Sequence, residues 1–211
     1  MILYRVVWWA IWTVTRGLWR LRIDGRENVP SNGAFVLAPV HRSFIDFGLT
    51  CQITKRRMRF MGKDSLWKIP GLRWLITALG SYPVHRGGAD REALRRTVEV
   101  LEKGEPVVIF PEGTRRFGPK VEDLFEGAAY VATKVGVPVV PVGIGGSEQA
   151  LPKGKKLPRP VKLTVVVGEP IHPPASSDTG RTSRRAVHEL TLQLRDEIQR
   201  LFDEAQELAG V

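Results

Sequence analysis

The chain has a single cysteine, Cys51, in 211 residues. It can therefore close no intramolecular disulfide and build no cysteine-rich metal cluster, which fits a reducing compartment. Its four histidines are scattered without paired ligand spacing, so no metal is expected. No stretch reaches the roughly 20 consecutive apolar residues of an upright membrane-spanning helix. There is no long run of like charge, no internal repeat and no inter-domain linker. What remains is one domain, long enough to bury a sizeable core.

Positive charge is in excess: 22 arginines and 10 lysines stand against 22 acidic residues, for a net charge of +10. An anionic partner is implied, and charge alone leaves nucleic acid, an anionic membrane surface and a phosphorylated substrate open. Nucleic acid is the weakest of these, because the chain shows neither a basic recognition helix nor an aromatic-bearing sheet motif.

Four of the six tryptophans, Trp8, Trp9, Trp12 and Trp19, fall in the first twenty residues. The segment MILYRVVWWAIWTVTRGLWRLRI has no small-x-small cleavage site, and its arginines lie after the apolar stretch as well as before it, so it is not read as a signal peptide. On a helical projection Arg5, Arg16 and Arg20 lie within about 60° of one another, and Val6, Val7, Trp8, Ala10, Ile11, Val14 and Leu18 fill the wide remaining arc. Residues 1–22 are expected to form an interfacial membrane helix, with tryptophan at headgroup level and arginine against lipid phosphate. The competing reading is a terminal helix packed on its own domain. Residues 23–211 then form the domain proper.

Beyond this segment short apolar runs alternate with helical patterns. Residues 34–40, 105–113, 137–146 and 161–170 read as buried strands bounded by glycine, proline or charge. Residues 90–104 and 126–136 read as helices stopped by glycine. Val187, Leu190, Leu194, Ile198, Leu201, Ala205 and Leu208 recur at three- and four-residue intervals, predicting a long C-terminal amphipathic helix that ends at Gly210. The fold class is α/β, a single domain with a partly parallel sheet flanked by helices.

Four blocks carry chemistry. In HRSFID (41–46), His41 directly follows a strand, the position at which open α/β sheets build their sites. Ser43 and Asp46 have the S-x-x-D spacing of a capping box for a helix beginning at Ser43; the same carboxylate could also fix the tautomer of the imidazole. FPEGTRR (110–116) joins a glycine, a hydroxyl and two guanidinium groups, the ingredients of a phosphate cradle, with Glu112 left to orient an arginine or bind an acceptor hydroxyl. GSYPVHR (80–86) delivers Arg86 at the end of an extended stretch. VPVVPVGI (137–144) is an apolar strand interrupted by Pro141, which suits an edge or a bend.

These four blocks in this order resemble the glycerolipid acyltransferase family, specifically the 1-acyl-glycerol-3-phosphate acyltransferases, over about residues 24–170. The chain departs from the common pattern in having Val40 before the histidine, where many members have asparagine, and Tyr82-Pro83, where larger apolar residues are common. The resemblance implies His41 as base and Asp46 as its partner. It implies phosphate binding by Arg86, Glu112, Gly113, Thr114 and Arg115, and Lys63 near the acyl or phosphate groups. The acceptor would be a lysophospholipid and the donor acyl-CoA or an acyl-carrier protein. No bound cofactor is implied. The expected location is the cytoplasmic face of a membrane, because acyl thioesters are cytosolic. An acyltransferase with another lysophospholipid or glycolipid acceptor, and a non-catalytic adaptor for anionic lipid, are the alternatives.

Overall fold

The computed structural model describes residues 2–85, 90–152, 154–155, 157–174 and 183–211. The chain opens with α1 (Ile2–Trp19) and β1 (Arg22–Asp24), then alternates β2 (Val36–Pro39), α2 (Asp46–Cys51), β3 (Arg59–Lys63), α3 (Leu72–Ala78), β4 (Tyr82–Val84), α4 (Arg91–Glu102), β5 (Val107–Val108), α5 (Gly127–Val135) and β6 (Val139–Gly145). It closes with α6 (Ser147–Ala150), β7 (Thr164–Val167) and α7 (Arg184–Ala209). The seven strands form one sheet in the order β1-β7-β6-β2-β5-β3-β4, parallel throughout except between β6 and β7. The α/β fold with a mostly parallel sheet is thus the one the alternation predicts.

The connections divide the helices between two faces. α2 and α3 carry the chain from β2 to β3 and from β3 to β4 in one direction along the sheet; α4 and α5 carry it back, from β4 to β5 and β5 to β6. Right-handed crossovers run in opposite directions only on opposite faces. The contacts agree: α1 packs on α2, whereas α4 and α7 both pack on α5.

Local chemistry accounts for the element ends. The Asp90 carboxylate accepts the Ala93 N–H at 3.0 Å to cap α4, and α7 stops at Gly210, whose φ of 79° a β-carbon would oppose. α7 lies on β6 because two glycines let it: a β-carbon on Gly143 would stand 2.1 Å from the Leu201 carbonyl oxygen, and one on Gly145 2.0 Å from that of Ala205. Val187, Leu190, Leu194 and Ile198 complete the contact and are all buried.

Two expectations need correction. Pro141 lies in the central strand β6, bonded to β2 on one side and β7 on the other, and not at an edge. The register with the returning chain slips by one residue there: Val142 faces Val167 but Val139 faces Ile171. The missing proline N–H falls opposite this bulge, and Pro141 still accepts the Gly168 N–H at 3.0 Å.

The second correction concerns the N-terminal helix. It ends at Trp19, and Arg20, at φ 46°, lies beyond it, so only Arg5 and Arg16 remain of the projected basic stripe. Nor does its tryptophan face point one way. Trp8 donates its indole N–H to the Cys51 carbonyl at 2.9 Å and Trp19 to that of Arg159 at 2.9 Å, while Ile11 packs on Gly48. The other side, with Ile2, Val6, Trp9 and Val14, is exposed. The helix thus has one packed face, as the competing reading expects, and one bare face rich in apolar side chains. No helix among the described residues is long and apolar enough to cross a membrane.

Candidate active site

Parallel strands end together, so the loops after β2, β3, β4 and β5 meet at one edge of the sheet. His41 leaves β2 there, and the chain turns at once into α2. The helix begins at Asp46, not at Ser43, and only half of the expected capping box forms. Asp46 Oδ2 reaches back to accept the N–H groups of Arg42 and Ser43, both at 2.7 Å, but the Ser43 hydroxyl donates elsewhere, to the Leu151 carbonyl at 2.9 Å. The same Oδ2 bonds Nδ1 of His41 at 2.9 Å. Both side chains are shut from solvent, 2% and 0% exposed. With Nδ1 committed to a carboxylate, the ring presents Nε2 as its proton-accepting nitrogen. Phe110 lies against the imidazole with ring centroids 4.2 Å apart, and Phe47 meets it edge-on at 5.4 Å.

The loop after β5 supplies the support. Glu112 is fully buried; its Oε2 accepts the backbone N–H of His41 at 2.9 Å, and both its oxygens lie 2.8 Å from Nη1 of Arg42. Arg42, also buried, spends its remaining donors on the carbonyls of Lys120 at 2.8 Å and Gly118 at 3.2 Å, with its guanidinium 4.8 Å from the centre of the Phe202 ring. A carboxylate with its oxygens so engaged faces inward, and of the roles read for Glu112 from the sequence it fills that of orienting an arginine. Two amides of the expected cradle are also engaged within the loop. Gly113 N–H bonds the Phe110 carbonyl at 3.0 Å and Thr114 N–H that of Glu112 at 2.8 Å, so these two amides close the turn. Gly113 sits at φ 67°, and a β-carbon on it would come within 2.6 Å of the Phe125 ring.

Among the remaining expected residues, the Thr114 side chain is exposed, Arg115 is half-buried in the same loop, and Lys63 is exposed at the end of β3. Arg86 lies outside the described residues. The sequence reading gave no role to Arg42, which stood inside the first block as an unassigned basic residue; Arg116, the second guanidinium of the FPEGTRR block, donates its N–H to the His41 carbonyl at 3.0 Å and lines the adjacent cavity.

That cavity, about 790 Å³, is walled mainly by apolar side chains such as Met61, Ile109, Phe110 and Val187, and its polar lining includes Thr114 and Arg116 together with Asp90 and Glu126. Its volume lies within the range of small-molecule ligand sites. Phe110 stands between it and His41, touching both.

Residues 20–145 match the family model described as Acyltransferase. The chain belongs to the acyltransferase family. Within that family it is 32% identical over 158 residues to the chloroplastic 1-acyl-sn-glycerol-3-phosphate acyltransferase LPAT1 of Arabidopsis thaliana, an alignment taking in 73% of this chain and 44% of that protein. It is 28% identical over 155 residues to the 1-acyl-sn-glycerol-3-phosphate acyltransferase of Bacillus subtilis, covering 72% and 74%. The chain spans about half the length of the plant and algal relatives it matches. Among solved structures, the 1-acyl-sn-glycerophosphate acyltransferase PlsC of Thermotoga maritima superposes with a TM-score of 0.77 at 30% identity, covering 95% of this acyltransferase and 80% of that one.

Proposed function

We propose that this acyltransferase moves a fatty acyl group from an acyl thioester, carried by coenzyme A or a carrier protein, to the free hydroxyl of 1-acyl-glycerol-3-phosphate, giving phosphatidic acid. The observation that carries the proposal is the buried contact of His41 Nδ1 with Asp46 at the edge of the sheet, beside an apolar cavity. In this scheme Nε2 takes the proton of the acceptor hydroxyl as its oxygen attacks the thioester carbonyl. The Asp46 carboxylate stabilises the imidazolium through its contact with Nδ1. The carbon–sulfur bond then breaks, and the thiolate recovers the proton from His41. General-base catalysis of this kind contributes about 10² to 10⁴-fold, and alignment of the two substrates contributes more.

No covalent acyl-enzyme is required. Cys51, the one thiol, has its pKa pushed up to about 12 by burial, which makes it a poor nucleophile at neutral pH. The acyl chain fits the cavity walled by Phe110, Ile109 and Val187. The acceptor phosphate is assigned to Thr114, Arg115 and Arg116, with Arg86 and Lys63 as further cations. Glu112 holds Arg42 and the His41 backbone and is a positioning residue. The exposed apolar side of α1 would bring the site to the cytoplasmic surface of the bilayer, where both substrates are found.

Acceptor choice tests the proposal. Purified protein given a long-chain acyl-CoA should convert lysophosphatidic acid to phosphatidic acid and leave lysophosphatidylcholine unchanged, as judged by lipid mass spectrometry. Equal use of both would point to the same chemistry on a broader set of lysophospholipids.

A further inference from the structure

Residues 64–79, the 3-10 turn Asp64–Lys68 and α3 between β3 and β4, contain no buried side chain. They are nevertheless rich in apolar ones. Trp74 is 66% exposed and Ile69 51%. The segment is well held: the Trp67 indole donates to Thr77 Oγ1 at 3.0 Å, its ring lies on Gly62, and Arg57 donates to the Ala78 carbonyl at 2.9 Å at the end of α3. A rigid apolar surface has therefore been left without a partner in the chain.

Its place in the fold says what covers it. Crossover handedness puts α3 on the face of the sheet that carries α2, and α1 packs on α2. α1 is therefore on this face as well, and its own bare side chains include Val6 and Trp9.

Charge is divided in the same way. Residues 1–23 hold four basic side chains and no acidic one; residues 55–80 hold seven basic and one acidic. These two spans together equal the net +10 of the whole chain. On the opposite face arginines of α4 and α7 are paired along their helices with Glu92, Glu99, Glu189, Glu197 and Glu204.

We infer that residues 66–79 are a second membrane contact: Ile69 and Trp74 enter the interface of an anionic bilayer on the same side as α1, and Lys68 and Arg73 meet its phosphates. Tryptophan beside lysine or arginine is the composition of a headgroup-level contact. A second copy of the chain is a poorer occupant, because a two-fold interface through this patch would set Lys68 and Arg73 against their own copies. The inference concerns binding and not turnover, so it stands or falls apart from the catalytic reading.

The test uses the intact protein and vesicles of phosphatidylcholine with and without phosphatidylglycerol. Ile69→Gln combined with Trp74→Gln should weaken partitioning to the anionic vesicles about tenfold, with the far-UV spectrum unchanged and the urea midpoint little changed, since both residues are more than half exposed. Val6→Gln with Trp9→Gln should weaken it as well. Trp74→Phe should lower the fraction of fluorescence quenched by vesicles with brominated acyl chains. Unchanged partitioning of the Ile69/Trp74 variant beside a weakened Val6/Trp9 variant would overturn the inference and leave α1 as the sole contact. A lipid-free dimer dispersed by the Ile69/Trp74 changes, with vesicle binding intact, would overturn it in favour of a protein partner.

Discussion

The Glu112 carboxylate bonds the guanidinium of Arg42 through both oxygens, and one of those oxygens also holds the backbone N–H of His41. Two residues of distant loops thereby fix where β2 ends and the base begins. A buried pair broken on one side leaves an unpaired charge, at a cost of about 3–5 kcal/mol. Glu112→Ala should lower stability by that amount in urea unfolding. Arg42→Met with Glu112→Leu, which removes both charges, should recover most of it without restoring activity, since His41 has still lost the acceptor for its N–H.

Asp46 has two roles, and substitution separates them. Asp46→Asn keeps the shape of the turn but cannot stabilise an imidazolium. Its kcat should fall about 10² to 10⁴-fold, with KM for either substrate little changed. Asp46→Ala should in addition destabilise by about 1–3 kcal/mol, because the Arg42 and Ser43 N–H groups lose their buried acceptor.

The helix–sheet contact at β6 is set by the absence of side chains. Gly143→Ala would drive a β-carbon onto the Leu201 carbonyl and push α7 outward. A loss of about 1–3 kcal/mol or more is expected by thermal unfolding. Gly33→Ala, in open space but at φ 69°, should cost only the backbone strain, about 1 kcal/mol.

Alkaline stability follows from three partly buried acids. Burial pushes Tyr4, Tyr82 and Cys51 each up to about 12. Their pKa values are higher folded than unfolded, so between roughly pH 9 and 12 the unfolded chain has released protons that the native one retains. Stability should be insensitive to these groups below pH 9 and fall as the pH rises toward 12. Tyr82→Phe should make the melting temperature less steeply dependent on pH over that window, offset by loss of the 2.8 Å bond to Thr97.

Much of this was legible in the sequence where the signal is periodic and local. The apolar spacing of α4, α5 and α7 and the alternation with strands lead to the observed fold with end errors of one to a few residues. β1 and β3 were not read, because segments of three and five residues with arginine, aspartate or lysine among them carry no usable period. His41 and Asp46 share one turn, so their contact could be anticipated. Arg42 could not: its burial depends on Glu112, seventy positions away in the chain. For Glu112 the possibility of orienting an arginine was open in the sequence, but which arginine was not, since its partner lies in another loop.

The measurement that bears most directly on the account is thiol release from a long-chain acyl-CoA in detergent, with and without 1-acyl-glycerol-3-phosphate, for the intact protein and for His41→Ala. Release that requires the acceptor and is lost in the variant is the predicted result. A His41→Ala protein that releases thiol at the intact rate, with the acceptor still required, would contradict His41 as the base and with it the mechanism built on Asp46.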